Sequence, residues 1–382
     1  MKKTALLILA LALFLAVALA VRELFAIDPL MTVPEVLDDV IGAHYGENNI
    51  AKNVWDMEIL DGRLYVSTGD YEKNSGRTPL FVYDIATDTW DATYITNDEA
   101  LGDMRVIGDT LFIAGNDSCG EWDNANYYTV ADGGIEMHAA LPNGAHCFDT
   151  CIYNDVLYFG IGTATNTASP VIAYDGEGYT AVPFFKDGES LFSDAARAYL
   201  RAYNFFSLGS ELYVFVYSEM ANGSAAEYEI YKLCDEGFEL YGNLRGKGIG
   251  FYIREERRLY QNIFKTMTVA DVALIATGRL FLTSDLITYE EITPEGRVVS
   301  DVYLYGERIF VVSFSEEEEG AFTNTVSELV DGEFVDILRF VTLRSYALSL
   351  AYDGESFYIG TGGIGDEAMP GAVLKIENNL NI

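Results

Sequence analysis

The sequence predicts an all-β protein built as a single β-propeller of about seven four-stranded blades. Two observations carry this. The first is a phrase that recurs along the 382 residues: a polar residue, a strand, a tight turn, then a second strand ending in small residues. The second strands begin at Leu64, Leu111, Leu157, Leu212, Ala273, Ile309 and Phe357, so by subtraction they lie 47, 46, 55, 61, 36 and 48 positions apart. A strand-only repeat of about 40–50 residues is the mark of a propeller. The second observation is composition: Tyr and Phe number 26 and 22, and helical patterns are scarce, as stacked sheets require.

Taken in order, the chain opens with Lys2 and Lys3, then an uncharged apolar run from Thr4 to Val21 that holds Ala18-Leu19-Ala20. A basic start, an apolar run and a small-x-small site read as an export signal, and the run is also long enough for a retained anchor. Residues 1–21 are therefore expected to be a signal peptide or membrane anchor. The expected location is periplasmic, extracellular or tethered at the cell surface. Residues 22–50, with Pro29 and Pro34, read as a stalk or as a strand that closes the ring with the last repeat. Residues 51–382 are expected to form the propeller.

Each repeat follows one grammar. Strand A leads to a turn such as Leu60-Asp61-Gly62-Arg63, strand B leaves it, and a variable loop reaches a C–D hairpin. The fullest hairpin is Tyr83-Asp84-Ile85-Ala86-Thr87-Asp88-Thr89-Trp90. Asp and Gly supply the turn backbone, and the aromatic that follows is expected to pack between blades. Trp90, Tyr179, Phe238, Tyr289 and Phe334 hold that place. The Asp84…Thr87…Trp90 spacing and the glycine-ended B strands resemble the kelch repeat of galactose-oxidase-like propellers. The resemblance covers nearly the whole mature chain and implies about seven blades. The double glycine usual after strand B stands only at Gly362-Gly363, and the family's copper chemistry does not transfer, because His44, His138 and His146 match no ligand motif.

Eight residues before each B strand stands a polar residue: Asp56, Asp103, Asp149, Asn204, Lys265, Asp301 and Ser349. Such a ring reads either as a set of caps for buried backbone amides or as a site for a cation or sugar hydroxyls. No cofactor is required; calcium, which favours carboxylate and amide oxygens, is kept open.

Charge narrows the partners. With 24 basic and 59 acidic residues the net charge is −35, which argues against nucleic acid and anionic membrane surfaces. One stretch runs the other way: Arg245, Lys247, Arg254, Arg257, Arg258 and Lys265 cluster between blades four and five. It reads as a set of pairs with neighbouring acids or as an anion site.

Cys147 and Cys151, four apart on one strand, stand about 13 Å apart and cannot bridge. A Cys119–Cys147 disulfide is the expectation in an exported chain, with Cys151 and Cys234 as thiols. No nucleophile elbow, phosphate loop or metalloprotease helix occurs. His146 with Asp149, near Arg201 and Tyr203, is the best acid–base candidate.

The reading that follows is a monomeric, exported, non-catalytic binding module that presents a loop-rich face to a protein or carbohydrate ligand. An enzyme acting on an acidic sugar and an envelope scaffold are the alternatives.

Overall fold

The structure, a computed structural model, describes residues 28, 30–70, 76–91, 93–119, 124–163, 168–191, 197–220, 227–244, 247, 249, 265–317, 320–363 and 368–378. The expected signal or anchor, residues 1–21, lies outside them.

The described residues form seven antiparallel blades with strands A to D running outward. Blade one uses Asp56–Leu60, Arg63–Ser67, Pro79–Asp84 and Thr89–Trp90. Blade two uses Asp98–Ile107, Thr110–Ser118, Asn124–Ala131 and Gly134–Pro142, and blade three Gly144–Tyr153, Val156–Thr163, Val171–Tyr174 and Tyr179–Ala181. Blade four runs through Arg197–Leu208, Glu211–Met220, Glu227–Cys234 and Gly237–Asn243; blade five through Lys265–Val269, Val272–Ala276, Leu280–Thr283 and Glu290–Glu291. Blade six comprises Val298–Tyr305, Arg308–Glu316, Ala321–Val330 and Glu333–Leu343. The inner strands touch in one closed cycle, from blade one through blade seven and back to blade one.

Blade seven is composite. Its first three strands are Tyr346–Tyr352, Ser356–Gly362 and Val373–Glu377, and its outermost strand, Glu35–Val36, comes from the other end of the chain. Glu35 pairs with Lys375 and Val36 with Leu374. Of the two roles considered for residues 22–50, the described part takes the ring-closing one. Residues 30–34 first cross blade six as a strap, where the Thr32 N–H donates to the Arg339 carbonyl, the Arg339 N–H donates to the Leu30 carbonyl, and Asp28 meets the Arg339 guanidinium at 2.7 Å. A single-turn helix, Val40–Tyr45, follows; Asp39 caps it and Ile41 is buried against blade one.

Local chemistry explains the hairpins. Asp61-Gly62, Asp132-Gly133 and Asp331-Gly332 each place two successive residues at positive φ, the backbone of a two-residue turn that matches strand twist. The aromatics after the C–D turns pack as expected, each against the preceding blade. Trp90 joins Ala351 and Tyr358 of blade seven, Tyr179 joins Phe112 and Tyr127 of blade two, and Phe238 joins Tyr158 of blade three. Tyr289 and Phe334 do the same against blades four and five. Burying a side chain of this size is worth roughly 1.5–3 kcal/mol, so these anchors contribute strongly to blade order.

Candidate functional site

All seven ring positions meet at the centre, and their partners show what they do. In blades two, three, four, six and seven a register shift occurs beside the ring residue, which frees backbone N–H groups from the ladder. Aspartates accept from those amides in a fixed pattern. Asp149 Oδ1 accepts from its neighbour Thr150 at 2.7 Å, and Oδ2 accepts from Phe205 of the next blade at 2.7 Å. Asp301 does the same with Val302 and with Leu350 of blade seven, both at 2.8 Å. Asp56 accepts from Met57 at 2.9 Å and from Met104 of blade two at 2.7 Å. Ser349 donates to the Val54 carbonyl at 2.9 Å and ties blade seven to the segment that enters blade one. Three aspartates thus staple blade one to two, three to four and six to seven.

The remaining members cross the centre. Lys265 of blade five reaches Asp56 of blade one at 2.6 Å and Asp301 of blade six at 2.9 Å. Asn204 of blade four donates to Asp103 of blade two at 2.7 Å. Arg105, two residues beyond Asp103, donates to Asp149 at 2.8 Å and to the Phe205 carbonyl at 3.3 Å. The Lys265–Asp56, Asn204–Asp103 and Arg105–Phe205 contacts join blades that are not neighbours across the axis.

Electrostatics follow from burial. Five carboxylates (Asp56, Glu58, Asp103, Asp149, Asp301) meet two cations. Burial raises Glu58 to about 8, with Asp56 adding to the shift, and raises Asp301 to about 6 although Lys265 opposes it. Asp103 and Asp149 are also pushed upward, chiefly by burial. For Lys265 burial acts downward, but Asp301 and Asp56 outweigh it and hold the ammonium charged. Among the described residues, no three carboxylate, imidazole or thiol groups are placed to hold a metal ion.

Three expectations change. His146 does not pair with Asp149, whose oxygens are engaged by Thr150, Phe205 and Arg105; its Nδ1 instead meets Asp117 Oδ1 at 2.8 Å. Cys119 and Cys147 do not form a disulfide, and all four cysteines are free thiols. Cys147 is turned into the apolar interface of blades two and three, among Phe112, Tyr127 and Phe159, while Cys119 lies past the end of strand B with its N–H bound to the Asn97 carbonyl. In the basic stretch, Lys247 donates to the Ile287 carbonyl at 2.6 Å and lies 5.0 Å over the Tyr289 ring, so it serves the fold. Arg245, Arg254, Arg257 and Arg258 fall outside the described residues.

A second constellation lies where strands A begin and strands B end. Here strand B of one blade pairs with strand A of the next: Gly69 with Ala100, Asn116 with His146, and Gly162 with Arg201. These contacts join blades two, three and four into one continuous sheet. They also account for the glycine-ended B strands. A Cβ on Gly69 would stand 2.4 Å from the Ala100 Cα, and φ there is +120°.

Read across this sheet, one row runs Asn116, His146, Gly162, Arg201, Tyr217, Tyr228. Side chains in register share a face of a sheet. The His146 ring leans over Gly162, and beside it Phe148 and Tyr203 lie 4.4 Å apart at 33°. Tyr203 contacts Tyr217 at 6.4 Å, which contacts Tyr228 at 5.4 Å. Arg201 Nη1 is 3.5 Å from the Tyr203 hydroxyl. All of these side chains are partly solvent-accessible.

Behind His146 the rim turns acidic. Asp98 is held by the Tyr128 hydroxyl and the Asn126 amide, yet burial raises it to about 6. Glu99 is raised to about 7 by burial and then by Asp117, Asp70 and Asp98. Sequence reading missed Asp117, Arg105 and Glu58. Arg105 and Glu58 each stand two residues after a ring position, hence on the same strand face, which was the available signal.

No protein-family model matches the chain, and no curated protein matches it. Solved structures similar to it include the WD40 repeats of RRP9, at 11% identity over 90% of this chain and 97% of that one, TM-score 0.51. The β-propeller domain of the Trilobed protease from Pyrococcus furiosus is 10% identical over 86% and 96%, TM-score 0.48. A chain of the Mitotic Checkpoint Complex is 11% identical over 92% and 97%, TM-score 0.49. The first likeness agrees with the geometry above: the fold is a β-propeller.

Proposed function

We propose that the chain is an exported, non-catalytic binding propeller that presents the His146–Tyr228 face to a ligand or protein partner. The observation that carries this is the internal engagement of the ring. Asp56, Asp149 and Asp301 accept from backbone amides of two blades each, and Lys265, Arg105 and Asn204 cross the channel. Groups held this way support the scaffold, and the rim row brings together partly accessible histidine, arginine and aromatic side chains. The WD40 neighbour and the kelch-like hairpin, in which Asp84 accepts from the Thr87 N–H at 2.8 Å and Trp90 packs on Tyr83, are consistent with a propeller of the interaction type.

A second reading is an enzyme acting on an acidic sugar, favoured by the placement of the His146 imidazole 2.8 Å from the buried Asp117 carboxylate. The test incubates the full chain with glycan and protein arrays and recovers the retained molecules. Saturable retention with unchanged ligand is expected. Ligand recovered cleaved or modified, at a rate lost in His146→Ala, would replace the binding reading with the enzyme, and retention of nothing would overturn both.

A further inference from the structure

We propose that the strap and the outer edge of blade six rest on a lipid bilayer, the one that holds the apolar run Thr4–Val21, so that the propeller stands on edge at the membrane. The inference rests on the anchor form of the export reading and adds to it the surface that meets the lipid.

Apolar exposure is the first observation. Among the described residues, blades one to five each show at most two exposed large apolar side chains, as at Ile95, Met137 and Ile152. Isolated residues of this kind are usual on a folded surface. The strap and blade six depart from that pattern. Met31 is 40% exposed and Val33 92%, and on strand D of blade six Val341 is 48% and Leu343 67% exposed.

Geometry joins these side chains. Met31 pairs in parallel with Arg339 on the edge of strand D. The register of strand D is regular from Leu338 to Leu343, so Arg339, Val341 and Leu343 share one of its faces. The other face, with Leu338 and Phe340, is committed to the interface with blade seven. Just past the strand, the Met369 N–H donates to the Arg344 carbonyl at 2.9 Å, which sets another apolar side chain, 63% exposed, at the same end of the blade.

Chain length is the second observation, and it names the occupant. Asp28 is held at 2.7 Å by the Arg339 guanidinium, and the strap is hydrogen-bonded to strand D. Val21, the last residue of the apolar run, precedes Asp28 by seven positions (28 − 21). Seven links of chain reach at most about 25 Å. The run is long enough to enter a bilayer, whose hydrocarbon core is about 30 Å thick. A bilayer that holds the run therefore lies within reach of blade six, where the exposed apolar side chains gain by leaving water. The net charge of −35 disfavours anionic headgroups, so the fitting surface is zwitterionic. Blades two and three, where His146 meets Asp117, lie across the ring and stay clear of the lipid.

The test places the full chain, one copy per disc, in phosphatidylcholine nanodiscs and reads methionine oxidation by hydroxyl radicals with mass spectrometry. Met137, on strand D of blade two, is 39% exposed and is the internal reference for Met31. Met31 and Met369 are expected to oxidise at least fivefold more slowly than Met137. The double variant Val341→Asp, Leu343→Asp should bring both back to the Met137 rate while the chain still elutes with the disc, and Ile152→Asp on blade three should change nothing. The wild-type ratio decides the matter even where a variant fails to fold. Equal oxidation of Met31, Met369 and Met137 in a disc-bound chain overturns the proposal alone. Protection that survives in the folded double variant shows that the tether suffices without the apolar face, and overturns it too. Protection found only in discs carrying two copies assigns the face to a second copy of the chain, with the same result. Intact mass of the chain extracted from membranes tests the underlying reading: loss of residues 1–21 refutes the anchor and the proposal together.

Discussion

Replacing Lys265 with methionine should destabilise the propeller more than any other single change at the ring. The ammonium lies 2.6 Å from Asp56 and 2.9 Å from Asp301, and both aspartates are 1% exposed. Methionine keeps most of the volume and removes the charge, leaving two buried carboxylates without their cation. Taking one partner from a buried ion pair costs about 3–5 kcal/mol. The sign of the pH dependence follows from the same groups. Burial already holds Asp301 up at about 6, and losing Lys265 raises it further. A carboxyl raised in the folded state contributes most below its unfolded pKa, and that contribution is lost as pH rises through the folded value. The variant should therefore be weakest above neutrality and recover toward the wild type as pH falls to 5. Urea unfolding followed by tryptophan fluorescence at pH 7.5 and pH 5 measures this. A loss below about 1 kcal/mol at pH 7.5, or an equal loss at both pH values, would refute the argument that Lys265 neutralises buried charge.

Three further outcomes are expected. Glu58, raised to about 8, keeps a proton in the folded state that the unfolded chain releases above about 4.5. Wild-type stability should thus fall between those values, and Glu58→Gln should flatten that slope by on the order of 3 kcal/mol; parallel unfolding curves from pH 5 to 8 would reject it. Gly360→Ala would place a methyl 2.3 Å from both Val54 Cγ1 and Ser349 Oγ, at the seam of blades seven and one. A cost of about 1–3 kcal/mol in the denaturation midpoint is expected, and an unchanged midpoint would show that the seam gives way. Arg339→Ala removes the contact to Asp28 that holds the strap on blade six, together with the contact to Asp336 within its own strand. Hydrogen exchange at the Thr32 amide should then quicken at least tenfold with blade two unaffected, and unchanged protection would mean that the backbone bonds suffice.

Much of the fold was legible because propeller blades are local. Strands A and B of blade one meet across Asp61-Gly62, and in blades one, three, four, five and six an aromatic that seals the neighbouring blade stands at one fixed place after the C–D turn. The ring positions were legible for the same reason, since a constant offset along the chain becomes a constant height along the axis. Their partners were not. Asp149 staples blade three to Phe205, and Lys265 meets Asp56, 209 residues away. The offset shows that polar groups converge but not which oxygen meets which amide. The expected Cys119–Cys147 bridge was wrong for a related reason: both residues are near the same face, but Cys147 points into the apolar interface.

By itself the sequence determined the seven-fold repeat, the turn chemistry and the height of the polar ring, because each depends on spacings within about 50 residues. Tertiary structure decided which segment closes the ring, what the ring holds together, and that His146 faces Asp117 instead of Asp149. These depend on the meeting of blades, where Gly69 and Gly162 let the edge of one sheet pair with the start of the next. Such contacts arise from closing a circle, and the pattern within one repeat carries no record of what its neighbour brings to the seam.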